Sequence, residues 1–232
     1  MDPIYFETPA EFRAWLEQNH AKAEALLVGF YKKGTCKPSM TWPESVDGAL
    51  CFGWIDGVRK GVDAFVLKYR LVHNAPGAPS REDVVKMAGE DGRQAVRLVR
   101  EKAGEFGYRP DRVGMIGFSA GGMVTSEALF GPKETRPDFV ALIYGIREIK
   151  EIPDPAPPLF LAVAADDAGF VAQSVDLFTA YRKAKGLAEL HVFQSGAHGF
   201  VNKGGGADHF MDRLEEWLRV NKLLASGPSD EN

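Results

Sequence analysis

The sequence has few of the features that mark secreted or membrane-spanning proteins. Among its 232 residues only Cys36 and Cys51 are cysteines. No apolar run approaches a length of about 18 residues, which a helix needs to cross a bilayer. The first residues lack the basic segment and apolar run of a signal peptide. Two thiols without such a signal indicate a reducing compartment, so we expect a cytoplasmic protein. No His or Cys cluster lies near either cysteine at zinc spacing, which argues against a metal site there.

A charge excess of one sign is also missing. The chain carries 28 Lys and Arg against 32 Asp and Glu, a net charge of −4. Residues 1–63 hold 7 basic and 9 acidic groups, and residues 64–232 hold 21 and 23, so each part has a net charge of −2. We therefore expect neither a nucleic-acid partner nor an anionic membrane partner.

Short apolar runs alternate with helical patterns along most of the chain. The runs with the character of buried strands cover residues 25–31, 64–69, 112–117, 139–144, 159–165 and 188–193. Helices are predicted from the capping boxes at residues 8–11 and 41–44, and over residues 80–107, 120–129, 174–185 and 209–224. This alternation predicts an α/β fold with a mostly parallel sheet.

One motif in this pattern carries chemistry. Residues 117–121, Gly-Phe-Ser-Ala-Gly, fit the nucleophile elbow G-x-S-x-G, and an apolar strand enters the motif while helical sequence leaves it. Small flanking residues allow the tight turn that exposes the Ser119 hydroxyl. The helix that begins at Ala120 directs backbone N–H groups toward that oxygen. A structural serine in a glycine-rich turn is the alternative interpretation.

A nucleophilic serine needs a base and a carboxylate that orients the base. His198 follows the last predicted strand and is the one histidine that combines a loop position with the chain order Ser, Asp, His. Asp166 and Asp167 both follow the strand predicted over residues 159–165. Counting from the strand start favours Asp167 and counting back from the next helix favours Asp166. We choose Asp167, because strand register restricts a side chain more than loop length does.

Residues 64–224 resemble the C-terminal two-thirds of an α/β-hydrolase of the acetylxylan esterase and feruloyl esterase-like group. The matching stretches include AFVLKYRL, PDRVGMIGFSAGG, PPLFLAVAADD and AELHVFQSGAHGF, in the family's order. The resemblance implies an esterase triad of Ser119, Asp167 and His198, with no metal or organic cofactor. Members of that group also begin with further strands and a His-Gly-Gly-Gly loop, and this chain has neither.

Residues 4–63 are instead similar to the start of the bacteriocin-protection, OmpD-associated type of protein, through FETPAEFRAWLEQNH and LLVGFYKKGTCKPSMTWPESVDGALCFGWIDGVRK. We expect three parts: an N-terminal segment over residues 1–63, a hydrolase region over residues 64–224 and a flexible tail over residues 225–232. Our hypothesis is that the strand at residues 25–31 completes the truncated sheet. A backbone N–H near Lys33 or Gly34 would then join that of Ala120 in holding the oxyanion.

The function expected from these residues is a serine carboxylesterase acting on small-molecule esters, short-chain or hemicellulose-type. The rival is a non-catalytic stress or binding protein with a relic triad. If the sheet edge near residues 64–69 is exposed, it invites pairing with a second copy, so we expect a homodimer.

Overall fold

The computed structural model describes residues 3–19, 22–23, 26, 28–31, 37–41, 45, 65–71, 79–202 and 206–224. These residues group into two compact units, the first before Leu67 and the second from Leu67 onward. The predicted helix beginning at residues 41–44, the loop with Lys33 and Gly34, and the tail over residues 225–232 lie wholly or largely outside the described residues.

The first unit contains a small strand–helix–strand arrangement. Strand β1 (Ile4–Tyr5) is followed by helix α1 (Pro9–Asn19) and strand β2 (Val28–Gly29), and the two strands pair in parallel. The Thr8 hydroxyl accepts a hydrogen bond from the Glu11 backbone N–H at 3.3 Å, as the predicted capping box requires. Four buried apolar side chains form a core within this unit: Phe6, Phe12, Leu16 and Met40.

The prediction that residues 25–31 complete the main sheet is wrong. Among the described residues of this range, the strand forms at Val28–Gly29, and it pairs with Ile4–Tyr5 in a separate two-stranded sheet. The physical reason is that β1 lies nearby in sequence and offers a parallel partner across α1, so the backbone groups of β2 are satisfied within the first unit. A two-residue strand such as β1 carries too short a pattern to be recognised in the sequence.

The prediction of a strand at residues 64–69 is also wrong for the part that the structure describes. Residues 65–71 do not form a strand, and Phe65 and Val66 are 47% and 53% exposed. A strand needs a neighbour for its hydrogen bonds, and an apolar pattern cannot show whether that neighbour is present. The homodimer was expected because an exposed strand at these residues would pair with a second copy. The homodimer stays a prediction, but this strand no longer supports it.

The second unit has the α/β architecture that the sequence predicts. Its strands are β3 (Gly114–Phe118), β4 (Phe139–Ile143), β5 (Leu159–Ala164) and β6 (Ala188–Phe193). Its helices are α2 (Arg81–Glu101), α3 (Ala103–Phe106), α4 (Ala120–Leu129), α5 (Val171–Lys183) and α6 (Phe210–Val220). Among the helices that the structure describes, none is both long and apolar enough to span a membrane.

The four strands form one parallel sheet in the order β3-β4-β5-β6, with helices on both faces. Alternate residues of the strands face opposite sides, so the central strands are apolar throughout. One face packs under α6 through Ala141, Ile143, Phe160, Ala162, Phe210, Leu214 and Trp217. The other packs under α4 and α5 through Val140, Leu142, Leu159, Leu161, Leu129, Leu177 and Tyr181. Because all four strands are parallel, the residues that follow them meet at one edge of the sheet.

Candidate active site

Ser119 occupies a strained turn between β3 and α4. Its backbone has φ 50° and ψ −116°, a conformation that a residue with a Cβ rarely adopts. The Ser119 N–H donates to the Ile143 carbonyl at 3.0 Å and so continues the ladder between β3 and β4. Its side chain does not cap α4, which leaves Oγ available for other partners.

The turn depends on glycines at close backbone approaches. A Cβ on Gly117 would lie 2.3 Å from the Gly121 carbonyl oxygen, and one on Gly122 would lie 2.3 Å from the Gly145 carbonyl oxygen. A Cβ on Gly145 would lie 2.1 Å from the Ser119 carbonyl oxygen. The second glycine of the motif, Gly121, has no such contact. Gly145, which the motif does not include, is therefore as necessary to the elbow as Gly117.

We expect Gly145→Ala to lower the free energy of unfolding by about 3 kcal/mol, because its methyl group meets backbone rather than a flexible side chain. Chemical denaturation followed by circular dichroism measures the change. Gly104→Ala is the matched control: nothing lies within 4 Å of its Cβ position in α3, and alanine favours a helix by about 1 kcal/mol. Equal unfolding midpoints for wild type and Gly145→Ala would contradict the expectation.

His198 lies in the loop after β6, with its Nε2 2.7 Å from Ser119 Oγ. The loop turns sharply, since Gly196, Ala197 and Gly199 all have positive φ angles. The imidazole is 44% exposed and lies between two aromatic rings. Phe170 stacks on it at 5.1 Å between ring centroids, and Tyr144 meets it edge to face, also at 5.1 Å. These rings restrict how the imidazole can turn relative to the serine.

The two aspartates after β5 contact different parts of the same loop. Asp167 is buried, and its Oδ2 lies 2.8 Å from His198 Nδ1. Asp166 accepts hydrogen bonds from the backbone N–H groups of Gly196 at 3.2 Å and Ala197 at 2.7 Å. The structure thus brings Asp167 to the imidazole and Asp166 to the backbone that carries it. The sequence pattern indicated that one of the two aspartates orients the imidazole, but it did not indicate that the other holds the loop backbone.

Tyr144 and Phe170 are contacts of His198 that sequence reasoning missed. Tyr144 directly follows β4, so the rule that places residues after parallel strands at one edge could have found it. Phe170 carries no comparable signal, because its place depends on the turn that follows Asp167. Burial raises the pKa of the Tyr144 phenol above its usual value, so the group beside the imidazole is neutral.

The backbone N–H of Ala120 opens α4 directly after Ser119, where a helix leaves its first N–H groups without partners in the helix. Lys33 and Gly34 lie outside the described residues. Their predicted place beside Ala120 required β2 to lie in the main sheet, but β2 pairs with β1. Within the described ranges, no group of three or more His, Cys, Asp or Glu side chains could hold a metal ion.

Comparison with known proteins assigns this unit to a family. Residues 78–226 match the model of the dienelactone hydrolase family, which covers more than half of the chain. The chain belongs to the dienelactone hydrolase family. Residues 4–79 match a domain of unknown function, DUF8412. The resemblance of residues 4–63 to the bacteriocin-protection, OmpD-associated type is not confirmed and stays a prediction.

Similar proteins are esterases and other α/β-hydrolases. An acetylxylan esterase of Xylanibacter ruminicola is 27% identical over 75% of this chain and 42% of its own, so the chain spans less than half of that relative. Among solved structures, esterase 2 of Thermogutta terrifontis, phosphoramylated by tabun, has a TM-score of 0.55 at 21% identity, covering 62% of this chain and 67% of its own. An α/β-hydrolase from a Medee basin deep-sea metagenome has a TM-score of 0.54 at 22% identity, with the same coverages. These likenesses confirm the α/β-hydrolase type of fold.

Proposed function

We propose that this member of the dienelactone hydrolase family is a serine carboxylic ester hydrolase. The observation that carries the proposal is the chain of contacts from Ser119 Oγ to His198 Nε2, at 2.7 Å, and from His198 Nδ1 to Asp167 Oδ2, at 2.8 Å. A nucleophile, a base and an orienting carboxylate in this order are the requirements of acyl transfer by serine. The acetylxylan esterase relative supports the same reaction class.

In the proposed reaction Ser119 Oγ attacks the acyl carbonyl carbon while its proton passes to His198 Nε2. The carbonyl π electrons move to oxygen, and the Ala120 N–H donates to the oxyanion. When the oxyanion collapses, the alkoxide leaves and takes the proton from His198 as the free alcohol. Water then attacks the acyl-serine by the same route, giving the carboxylic acid and regenerating Ser119. Asp167 orients the imidazole and stabilises its positive charge.

The proposed substrates are small-molecule esters with short acyl chains. Acetyl or feruloyl esters of hemicellulose are the polysaccharide class to test, since an acetylxylan esterase is among the similar proteins. The His198 imidazole is 44% exposed, so solvent reaches the site from its side, as an ester carried on a bulky alcohol requires.

The test is covalent labelling of the full chain by a fluorophosphonate, combined with turnover of p-nitrophenyl acetate. We expect one phosphonyl group on the peptide that contains Ser119, loss of turnover in proportion to labelling, and slower labelling of His198→Ala. The serine oxygen displaces fluoride from the phosphorus of the label, so labelling reports an activated nucleophile independently of the ester used. A wild-type chain that neither takes the label nor hydrolyses the ester would refute the proposal and favour a binding protein with a relic triad.

A further inference from the structure

An oxyanion needs more than one donor to be held well, and the described residues next to Ser119 offer the Ala120 N–H. Removing one of two donors slows acyl transfer by about 10²–10³-fold in a well-studied serine hydrolase. The Ser119 N–H cannot be the second donor, because it is bonded to the Ile143 carbonyl. A second donor therefore has to come from another segment of the second unit and face the start of α4.

Tyr69 lies beside the start of α4. Its hydroxyl is 4.0 Å from the Cβ position of Gly121, the residue after Ala120. Tyr69 and Ala120 also line one cavity of about 190 Å³. The rest of its lining is mostly apolar: Leu71, Val84, Val85, Ala88, Met123 and Val124, with Arg70.

The segment that carries Tyr69 is fixed by its neighbour Arg70. The Arg70 backbone N–H and Nε both donate to the Asp91 carboxylate, at 2.9 Å for the backbone, and its Nη2 donates to the Met87 carbonyl oxygen at 2.9 Å. Both acceptors belong to α2. The pairing raises the pKa of Arg70 and lowers that of Asp91, so both groups stay charged.

Helix α2 in turn lies directly against α4. A Cβ on Gly92 would lie 3.0 Å from Val124 Cγ1, and one on Gly89 would lie 2.6 Å from Glu127 Cβ. Two glycines on the facing side of α2 allow this close approach. Tyr69 is therefore connected to the elbow through Arg70, α2 and α4, all within one compact unit.

We propose that the Tyr69 hydroxyl is the second oxyanion donor of this enzyme. The inference rests on the proposed function, since an oxyanion forms only if Ser119 attacks a carbonyl. In the tetrahedral intermediate the Ala120 N–H and the Tyr69 O–H donate to the same oxygen, and Tyr69 keeps its proton throughout. The role assigned to a glycine-rich loop in the family resemblance is thereby taken over by a side chain of this unit.

The test is Tyr69→Phe, which removes only the hydroxyl. For p-nitrophenyl butyrate we expect kcat to fall about 10²-fold with KM changed less than threefold, because the lost bond forms only in the transition state. The Ki of an aliphatic trifluoromethyl ketone, which forms a tetrahedral adduct with the serine, should rise by a similar factor. The matched control is Tyr108→Phe. The Tyr108 hydroxyl donates to the Val99 carbonyl oxygen, and Tyr108 precedes β3, whereas Ser119 follows that strand. This variant should keep wild-type kinetics.

Two results would overturn the inference while leaving the proposed function intact. One is a kcat of Tyr69→Phe within threefold of wild type. The other is a lower kcat with an unchanged Ki for the ketone, as a merely structural role for Tyr69 would produce. A wild-type chain without turnover and without fluorophosphonate labelling would overturn the esterase itself, and this role with it.

Discussion

We expect Ser119→Ala to lower kcat/KM for p-nitrophenyl acetate by about 10⁴–10⁶-fold. The reason is that the acyl-enzyme cannot form without the hydroxyl, and only the binding and oxyanion groups remain to assist water. The variant keeps the Cβ, so the backbone strain of the elbow is unchanged and the fold should be retained. Initial rates at matched protein concentrations, with circular dichroism to verify folding, measure the effect.

Ser126→Ala is the control for this substitution. Ser126 lies on α4 and is 1% exposed, and its hydroxyl has no hydrogen-bond partner among the described residues. Its removal should leave the rate unchanged and cost little stability, since an unpaired buried hydroxyl contributes none. Hydrolysis by Ser119→Ala within tenfold of wild type would show that the reaction uses another nucleophile.

We expect Asp167→Asn to lower kcat by about 10⁴-fold and Asp166→Asn to lower it less than tenfold. The amide at position 167 can donate to His198 Nδ1, which favours the tautomer that holds its proton on Nε2 and so cannot accept one from Ser119. At position 166 an amide oxygen still accepts from the Ala197 N–H. Steady-state kinetics of both variants, with thermal melting curves, separate a role in chemistry from a role in holding the loop.

The reverse ranking of these two aspartate variants would assign the orienting carboxylate to Asp166 and contradict the geometry at His198. Similar losses for both would mean that the loop position, and not the charge beside the imidazole, limits the rate. The two substitutions are chemically identical at adjacent positions, so each serves as the control for the other.

The central strands were predictable because both of their faces are covered. Residues 139–143 and 159–164 are strands within a residue or two of the predicted bounds, since continuous burial leaves a continuous apolar run. The strand expected at residues 64–69 failed because an apolar run does not reveal whether a partner strand exists. The same limit explains β2, whose partner β1 is two residues long.

The site was predictable to the extent that it follows chain order. The G-x-S-x-G motif predicts Ser119, and a loop position after the last strand predicts His198. The contact between them follows from the parallel sheet, which brings the residues after its strands to one edge. Asp166 and Asp167 could not be separated, because a single residue in a turn decides which carboxylate faces the imidazole. Gly145, Phe170 and Tyr69 contact segments that are distant from them in sequence, and no local pattern records such contacts.

The φ of 50° at Ser119 places the proposed nucleophile at a position that would be more stable as glycine. The backbone conformation that exposes the hydroxyl costs on the order of 1–3 kcal/mol for any residue with a Cβ. A library at position 119 selected only for survival of heating would therefore enrich glycine and discard the hydroxyl that the proposed reaction needs. Directed evolution of the proposed esterase toward heat resistance has to screen turnover alongside melting, because at this residue the two selections oppose each other.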